Sequence, residues 1–516
     1  MNSINAIIMA AGMSSRFAPL SYEIPKGLLK VKNEVLIERQ IKQLQEKGIN
    51  DITVVTGYKA SKFEYLKDQF GVELVYNKDY FRYNNTSSLM LVLDKLKNTY
   101  ICSSDNYFEE NLFNSSEIES YYYVQEAHGI SDEYFVKTDE EGTITDITFD
   151  EGIYYMIGHA YFNEETSTTF KEILTHEYAR EDVKEMLWEK LYLEFIESIK
   201  LKIRIDENKS IFEFDNFNEL RSFDNYYVNY PENEMLNNIS NYFQVPVSEI
   251  VNIKELKEGL TNLSFKFDIG NKSYVYRHPG EGTEKIISRD AERFAQEQAR
   301  ALKIDKSFVY MDKEKGYKIS HYIKDCRILN YHSEDDLKVA MKQIKRLHDA
   351  KIKSEFDSNL WNKTLEMLQE VSESIRSNYN NFDELYDKME SIYKSTEDFL
   401  KEKYLCHCDF FNTNILFKDK ESYIIDWEYA GNDDPAADLG IFVASSDMTV
   451  EQALKLLEIY EGTEMEESKY THFVSYYAIA SYYCFIWALY QQSKDQNPGS
   501  MLDTWYESTL VYSSIV

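Results

Sequence analysis

The pattern of apolar residues changes near residue 230 of this 516-residue chain, and the change constrains the fold more than any other feature. Before it, short apolar runs alternate with stretches that repeat apolar residues at helical spacing. The clearest helical stretch is VLIERQIKQLQEKG (35–48), which we predict to end at Gly48. The runs that we predict to be buried parallel strands are INAIIMAA (4–11), DITVVTG (51–57), VELVYN (72–77) and TYICSSD (99–105). Such alternation predicts an α/β domain with a mostly parallel sheet.

After residue 230 the pattern is typical of antiparallel strands followed by helices. NIKELKEGLTNLSFKFDIGNKSYVYRHPG (252–280) alternates apolar and polar residues, with turns predicted at Gly259 and Gly270. We therefore predict one domain over residues 1–230 and a second over 231–516, the latter with a small antiparallel lobe and a large helical lobe. That outline is typical of a phosphotransferase. We also predict one amphipathic helix over 181–200 and a buried helix over 476–490.

The charge balance limits the partners. Asp and Glu number 89 against 57 Lys and Arg, which makes the formal net charge −32. Such a field opposes binding to nucleic acid or to an anionic membrane. The apolar stretch 476–490 is shorter than the roughly 20 residues of a membrane span, and the N-terminus lacks the basic region of a signal peptide. We expect a cytoplasmic protein with small-molecule partners, and the sequence also allows a homo-oligomer.

A cysteine, a histidine and a second cysteine stand close together in LCHCDFFNTN (405–414). Zinc would require a second pair of ligands at short spacing, and the sequence has none near Cys406 and Cys408. Five scattered cysteines are also too few for a disulfide framework. We interpret these two cysteines as small apolar residues beside a functional loop.

A loop that contains glycine follows the first predicted strand, in IIMAAGMSSRFAPLSYEIPKGLL (7–29). Backbone N–H groups at the carboxyl end of a strand can bind phosphates, and Arg16 and Lys26 can neutralise a triphosphate. From the residues alone, an ordinary turn with two surface cations is an equally good interpretation.

The pattern AAG-x-x-x-R-F followed by P-K resembles the signature of sugar-phosphate and choline-phosphate nucleotidyltransferases, and the resemblance extends over residues 4–225. It implies a Rossmann-like domain. Ser14 departs from many relatives, which carry a second glycine there. The resemblance implies that the base lies against YNNTSSLML (83–91), although Asn and Ser also favour helix N-caps. The nucleotide-binding residues that it implies are Ala10, Ala11, Gly12, Arg16, Lys26, Asn85 and Ser88, with Arg16 and Lys26 in catalytic roles.

The same resemblance implies that Asp105 and Asp215 hold Mg²⁺ between the phosphates. The family divides between hexose 1-phosphate acceptors and phosphocholine with CTP. The domain is compact, and the chain has 42 Tyr and 29 Phe, which favours a trimethylammonium group bound by cation–π attraction. Tyr154, Tyr155 and Trp188 are the candidate aromatic residues, and the alternative is that they belong to the core.

In the second half, His407-x-Asp409-x₄-Asn414 resembles the catalytic loop of protein-kinase-like small-molecule kinases. In such a loop the aspartate accepts the proton of the attacking hydroxyl, and the asparagine reaches a Mg²⁺ beside the ATP phosphates. Asp426 follows Asn414 by twelve residues, where this fold has its second metal-binding aspartate. We assign catalytic roles to Asp409 and His407 and metal-binding roles to Asn414 and Asp426.

IDWEYAGNDDPAADLGIF (425–442) is similar to the choline/ethanolamine kinase signature, and these matches cover residues 235–495. They imply a phosphate loop at GLTN (259–262), which includes Asn262, and a strand arginine at Arg277 that pairs with Glu292. A weak surface ion pair is the alternative for Arg277 and Glu292. The implied choline pocket comprises Trp487, Trp427, Tyr429, Tyr482 and Tyr483, although aromatic residues at such spacings more often belong to the core.

Together the two halves resemble bacterial bifunctional enzymes of the LicC–LicA type. The resemblance implies two steps, from choline to phosphocholine with ATP and from phosphocholine to CDP-choline with CTP, both with Mg²⁺. One alternative is the same architecture acting on ethanolamine or an aminoalkyl phosphonate. Another is a cytidylyltransferase with a non-catalytic, choline-sensing kinase-like domain.

Overall fold

The computed structural model describes residues 3–127, 130–256, 262–280, 283, 287–397, 399, 402–494 and 500–516. The chain divides into two compact units, one comprising Met1–Lys257 with Phe265–Asn271 and the other Glu258–Ser264 with Lys272–Val516. The boundary at residues 230 and 231 stays a prediction. Within the described residues, no helix is long and apolar enough to cross a membrane.

The first unit is built on a mixed sheet. Its strands are β1 (Asn5–Ala10), β2 (Lys30–Val31), β3 (Glu34–Val35), β4 (Ile52–Thr56), β5 (Glu73–Tyr76), β6 (Thr99–Ser103), β7 (Tyr107–Phe108), β8 (Tyr121–Glu126), β9 (Ile130–Thr138), β10 (Ile144–Glu151), β11 (Tyr154–Phe162), β12 (Lys202–Ile205) and β13 (Ile211–Phe212). The main sheet has the order β10-β9-β11-β6-β1-β4-β5, and β8 pairs with β11 and β12. Strands β6, β1, β4 and β5 are parallel, which confirms the prediction for the four apolar runs. Strand β5 is only half-buried, because it lies at the sheet edge.

The helices of this unit are α1 (Leu20–Glu23), α2 (Leu36–Glu46), α3 (Tyr65–Phe70), α4 (Asn85–Leu91), α5 (Glu164–Glu177), α6 (Glu181–Glu185), α7 (Trp188–Glu194), α8 (Phe217–Phe223) and α9 (Glu234–Phe243). Helix α2 ends before Gly48 as predicted, and this glycine has a φ of 78°. After β5 the chain returns to the other side of β1, so the strand order reverses between β1 and β6. In parallel sheets a ligand crevice forms at such a switch point, at the carboxyl ends of the strands.

The prediction of one helix over residues 181–200 is wrong. Helices α6 and α7 are separated by Met186 and Leu187, which have extended backbones. Side chains from α4 bind the backbone at this break. The Thr86 hydroxyl donates to the Met186 carbonyl at 2.5 Å, and the Asn85 side-chain carbonyl accepts from the Trp188 N–H at 2.7 Å. A tertiary contact therefore replaces the backbone hydrogen bonds of a continuous helix.

Strands β14 (Val251–Leu256) and β15 (Leu263–Ile269) precede the larger part of the second unit. Gly270 ends β15 with a φ of 56°, whereas the turn predicted at Gly259 lies outside the described residues. The strands that follow are β16 (Lys272–His278), β17 (Phe308–Met311), β18 (Lys318–His321), β19 (Arg327–Ile328), β20 (Tyr404–Cys406), β21 (Ile415–Lys418), β22 (Glu421–Ile424) and β23 (Gly431–Asp433). Strand β18 pairs antiparallel with both β16 and β17, in agreement with the predicted antiparallel lobe.

The helices of the second unit are α10 (Arg289–Ala301), α11 (Glu334–Asp349), α12 (Leu360–Glu370), α13 (Glu373–Arg376), α14 (Phe382–Glu397), α15 (Pro435–Ala444), α16 (Val450–Glu461), α17 (Glu467–Ser493) and α18 (Leu502–Ile515). They form the predicted helical lobe. Helix α17 contains the stretch predicted to be a buried helix, and most of its side chains are buried. Helix α15 packs against α17, with Ala437, Leu439 and Phe442 in the same core.

Gly440 allows α15 and α17 to approach closely. A Cβ at this position would lie 2.5 Å from the Tyr476 carbonyl oxygen and 2.9 Å from the Ala480 Cβ. We expect Gly440→Ala to destabilise the second unit by about 1–3 kcal/mol, because backbone must shift to admit the methyl group. Urea and thermal unfolding of the full chain would measure this. Lys455→Ala, on the exposed face of α16, serves as control. An unchanged unfolding midpoint for Gly440→Ala would contradict the close contact.

Candidate active sites

The first candidate site lies at the carboxyl ends of β1 and β6. A cavity of about 400 Å³ opens there, between the loop that follows β1 and the N-terminus of α4. Ser14 has a φ of 50°, a left-handed backbone that glycine adopts without strain. Ser14 is the position at which many of the nucleotidyltransferases that the sequence resembles carry a glycine. The sequence-predicted residues that line the cavity are Ala10, Ala11, Gly12, Lys26, Asn85, Ser88 and Asp105.

Each predicted cation of this site contacts a predicted metal-binding carboxylate. Lys26 Nζ lies 2.7 Å from Asp105 Oδ2, and the lysine side chain is almost completely buried. Arg16 Nη1 lies 3.0 Å from Asp215 Oδ1, and this arginine is exposed. Burial opposes the charged form of Lys26, but the nearby carboxylates, Asp105 foremost, outweigh it and raise the lysine pKa. Lys26 therefore remains a fixed positive charge on the cavity wall.

Two further carboxylates belong to this cluster. Desolvation and the charge of Asp105 raise the pKa of Glu213 to about 8, although the residue retains exposed surface. Desolvation and Asp215 raise the pKa of Glu133 to about 7. Since like charges destabilise one another, this concentration of carboxyl groups suits a divalent cation with oxygen ligands. Asp105 and Asp215 offer the oxygen donors that Mg²⁺ prefers, although among the described residues Asp105, Glu213 and Asp215 do not converge on one point, and Asp105 and Asp215 are paired with Lys26 and Arg16.

Sequence reasoning missed Glu133 and Glu213. The i, i+2 spacing of Glu213 and Asp215 in FEFD was a usable signal, because alternate residues of an extended segment face the same side. Glu133 had no such signal. It reaches the site from β9, and only the sheet order brings that strand near the first-site cavity.

Asn85 and Ser88 line the cavity, but their polar groups already have protein partners. The Asn85 carbonyl accepts from the Trp188 N–H, and the Ser88 hydroxyl accepts from Asn77 Nδ2 at 3.1 Å. The cap of α4 is Asn84, whose side chain accepts from the Asn85 N–H. The predicted contact of Asn85 and Ser88 with a base stays a prediction.

The three candidate aromatic residues of the first unit occupy different places. Trp188 lies in the hydrophobic core, 1% exposed, with Tyr122, Phe162 and Phe170 within 6.0 Å between ring centres. Tyr154 packs at the border of the same core. Tyr155 donates to Gln125 Oε1 at 2.6 Å, and burial followed by Glu133 and Glu213 raises its pKa to about 12. The structure therefore brings Tyr155, but not Trp188, to the carboxylate cluster.

The second candidate site is the loop after β20. Asn414 Nδ2 donates to the Asp409 backbone carbonyl at 2.9 Å and to Asp409 Oδ2 at 3.0 Å. Asp438 holds the start of the loop, because its carboxylate accepts from the backbone N–H groups of His407 at 2.9 Å and Cys408 at 2.7 Å. Burial opposes ionisation of Asp438, but His348 outweighs it, and the pKa of this carboxyl is lowered.

His407 lies beneath the loop and is fully buried. Its Nε2 is 2.9 Å from the Ile425 carbonyl, and its ring packs on Trp427 at 4.6 Å. Burial lowers the pKa of His407, so the ring is neutral at pH 7. These contacts join the catalytic loop to the segment that carries Asp426, which is a positioning role. The predicted catalytic role of His407 stays a prediction.

The cysteines behave as the sequence indicates. Cys406 is fully buried, and its Sγ contacts the Asp433 carbonyl at 3.5 Å. Among the described residues, Cys406 forms a metal-like group only with His348 and Asp438. Both ring nitrogens of His348 already have partners, Asp438 at 3.0 Å and the Tyr460 hydroxyl at 2.9 Å. This group is a hydrogen-bonded core triad.

Two aromatic side chains interact electrostatically with Asp409. The pKa values of Tyr429 and Tyr483 are raised mainly by burial, and the charge of Asp409 contributes to both. Trp427 and Tyr482 are fully buried in the core, and Trp487 is half-buried with Trp505 at 6.0 Å between ring centres. Trp427 and Tyr482 are therefore away from solvent, whereas the pKa values of Tyr429 and Tyr483 respond to the charge of Asp409.

Arg277 and Glu292 form the predicted ion pair, with 2.6 Å between Arg277 Nη2 and Glu292 Oε2. The pair is buried, so the alternative of a surface pair is wrong. Burial would raise the pKa of Glu292, but Arg277 and Lys318 outweigh it and lower the pKa to about 2. Arg277 Nη1 also reaches Asp426 at 3.4 Å and Glu428 at 3.3 Å.

Glu428 is a member of this network that sequence reasoning did not select. Asn262 Nδ2 donates to Glu428 Oε2 at 2.9 Å. Residues 259–261 of the predicted phosphate loop lie outside the described residues. Asn414 and Asp426 both carry the oxygen atoms that Mg²⁺ prefers as ligands.

Asp409 gives the second unit a defined pH dependence. Desolvation, followed by the charge of Asp426, raises the pKa of Asp409 to about 8 in the fold, against about 3.9 for an unfolded chain. The folded state therefore holds a proton that the unfolded state releases, and stability falls as the pH rises from about 4 to about 8. We expect Asp409→Asn to raise the thermal midpoint, with a gain that grows up to about pH 8 and then levels. Asp349→Asn, an exposed control, should give no such gain. A pH-independent midpoint difference for Asp409→Asn would contradict the burial of this charge.

Comparisons with known proteins match the two halves of the chain to two different families. The model of the choline/ethanolamine kinase family matches residues 253–485, and that of the MobA-like NTP transferase domain matches residues 6–108. The chain is 32% identical over 219 residues to the choline-phosphate cytidylyltransferase of Streptococcus pneumoniae, which covers 42% of this chain and 96% of the relative.

It is also 32% identical over 229 residues to the 2-aminoethylphosphonate cytidylyltransferase of Lancefieldella rimae, covering 43% of this chain and 93% of the relative. Protein LicA of Haemophilus influenzae is 26% identical over 211 residues, covering 39% of this chain and 76% of that protein. The chain therefore belongs to the choline-phosphate cytidylyltransferase family through its N-terminal half, and it joins that domain to a C-terminal choline kinase domain.

Proposed function

We propose that this chain makes CDP-choline from choline in two consecutive reactions. The kinase domain phosphorylates choline with ATP, and the cytidylyltransferase domain transfers CMP from CTP to phosphocholine and releases pyrophosphate. The observation that carries the proposal is that one chain combines the two sites. The product of the kinase reaction is the acceptor of the second reaction. Because both reactions consume nucleoside triphosphates, we further propose a cytoplasmic location.

In the kinase reaction, the choline hydroxyl oxygen attacks the γ-phosphorus of ATP while the bond to the ADP oxygen breaks. Asp409 accepts the hydroxyl proton, and Asn414 orients its carboxylate through the 3.0 Å hydrogen bond. Mg²⁺, which Asn414 and Asp426 would hold, would supply neutralisation of the phosphate charge.

In the transferase reaction, a phosphate oxygen of phosphocholine attacks the α-phosphorus of CTP, and the bond to pyrophosphate breaks. The attacking oxygen is already anionic, so no base is required. Lys26, fixed on the cavity wall, neutralises charge that develops on the phosphates, and Arg16 assists from the exposed side. Asp105 and Asp215 would hold Mg²⁺, which would supply further charge neutralisation.

The acceptor is the point on which the relatives differ. An aminoalkyl phosphonate already carries its phosphorus on carbon and requires no kinase, so the fused kinase domain favours a phosphate ester. Tyr429 and Tyr483, whose pKa values respond to the charge of Asp409, favour a cationic alcohol, since aromatic faces attract an ammonium group. Choline fits this surrounding, and ethanolamine is the alternative that remains to be tested.

Product analysis with matched variants tests the assignment. Incubation with choline, ATP, CTP and Mg²⁺ should yield phosphocholine and CDP-choline, identified by mass. Asp409→Asn should reduce choline phosphorylation by about 10²-fold or more, because the proton acceptor is lost, yet still convert added phosphocholine to CDP-choline. Asp105→Asn should do the reverse. Full choline phosphorylation by Asp409→Asn would overturn the kinase mechanism, and phosphocholine without CDP-choline would overturn the function of the first domain.

Substrate competition tests the acceptor. We expect kcat/KM for choline to exceed that for ethanolamine by about tenfold, because a cation–π contact contributes roughly 1–2 kcal/mol. Phosphocholine should likewise exceed both phosphoethanolamine and 2-aminoethylphosphonate in the transferase reaction. Preference for ethanolamine in the first reaction, or for the phosphonate in the second, would show that the choline assignment is wrong.

A further inference from the structure

Lys318, the first residue of β18, is a buried cation to which neither proposed reaction assigns a role. Its side chain is 10% exposed, and its Nζ lies 3.2 Å from Glu292 Oε1. Strand pairing places Lys318 directly opposite Arg277 on β16. Like charges directly opposite one another in a sheet are destabilising, and burial increases the cost. The pairing of these two cations therefore requires a compensating interaction.

Glu292 compensates only part of this charge. It already binds Arg277 Nη2 at 2.6 Å and Arg289 Nη1 at 3.1 Å, so its carboxylate would stay paired without Lys318. Gln296, whose Oε1 is 3.5 Å from Lys318 Nζ, is neutral and also binds Asp305 through its Nε2 at 2.6 Å. Both side chains therefore keep hydrogen-bond partners without Lys318.

A further carboxylate near Lys318 is Asp426, the exposed end of the network. Among the carboxylates of this network in the described residues, Glu292 and Glu428 have side chains 0% and 6% exposed, whereas Asp426 is 37% exposed. Lys318 Nζ lies 4.0 Å and Arg277 Nη1 3.4 Å from the same Asp426 Oδ1. Two buried cations therefore share one partly exposed carboxylate, that of Asp426. This carboxylate is itself proposed to bind the metal of the nucleotide complex.

We propose that Lys318 is a second phosphate-binding cation of the kinase site and contacts the β-phosphate of the nucleoside triphosphate beside Arg277. A carboxylate engaged by a metal no longer neutralises two cations, and phosphate oxygens take its place as their counter-ions. Glu292 is then a positioning residue that holds both cations on one face of the sheet. The inference rests on the proposed kinase function, which the wild-type product analysis tests separately.

Nucleotide binding without turnover tests the role of Lys318. Calorimetric titration of the full chain with MgADP and with adenosine, which lacks phosphate, is compared for wild type, Lys318→Met and Lys318→Arg. The titrations contain no CTP. CMP transfer to phosphocholine is assayed separately, and it checks that each variant is folded. We expect Lys318→Met to weaken MgADP binding about tenfold or more and to leave adenosine binding unchanged. Lys318→Arg, which keeps the charge, should bind MgADP within about threefold of wild type.

The controls separate a phosphate contact from a structural role. Lys338→Met, an exposed lysine on α11, should leave both affinities unchanged. CMP transfer to added phosphocholine should be normal in every variant, because Lys318 lies outside that domain. Equal weakening of MgADP and adenosine by Lys318→Met, or unchanged binding of both, would overturn the proposal. If Lys318→Met does not fold, Lys318→Gln, which can still bind Glu292, replaces it under the same criteria.

Discussion

In both domains a nearly buried cation is held against a carboxylate at the point where nucleotide phosphates are proposed to bind. Lys26 contacts Asp105 in the first domain, and Arg277 contacts Asp426 in the second. A buried charge is tolerated only when it is paired, so each pair keeps its cation in place before any ligand arrives. Phosphate oxygens can then bind the cation in place of the carboxylate, and a metal ion can bind the carboxylate in place of the cation. The position of these cations depends on the surrounding strands, and the proposed chemistry depends on that position.

The kinase site shows how far such pairing extends into the fold. Asp438, on α15, binds the backbone of the catalytic loop through two N–H groups and is itself held by His348 from α11. His407 joins the same loop to the segment that carries Asp426. The loop geometry thus depends on buried carboxylate and imidazole contacts, while Asp409 itself is left with a raised pKa. The buried Asp409 carboxylate destabilises the folded state, whereas the contacts of Asp438, His348 and His407 stabilise the loop that carries it.

The local pattern was sufficient for much of the fold. Strands β1, β4 and β6 follow from continuous apolar runs, because a parallel strand inside a sheet is buried on both faces. The break between α6 and α7 could not be predicted, since it depends on Asn85 and Thr86, about a hundred residues earlier in the chain. Trp188 illustrates the same limit. Its aromatic character suggested a binding role, whereas its neighbours in the core are known only from the packing of distant elements.

The sequence by itself determined that there are two domains, that the cations Arg16 and Lys26 follow the first strand, and that Asp409, Asn414 and Asp426 have the spacing of a kinase loop. These features are local, because a loop or a short hairpin sets the distances between residues close in the chain. Only the tertiary structure decided which carboxylates meet at each site. Glu133 joins Asp105, Glu213 and Asp215 through the sheet order, and Lys318 meets Arg277 through the pairing of β16 with β18. Such encounters depend on strand order and register, which a single sequence does not specify by residue type alone.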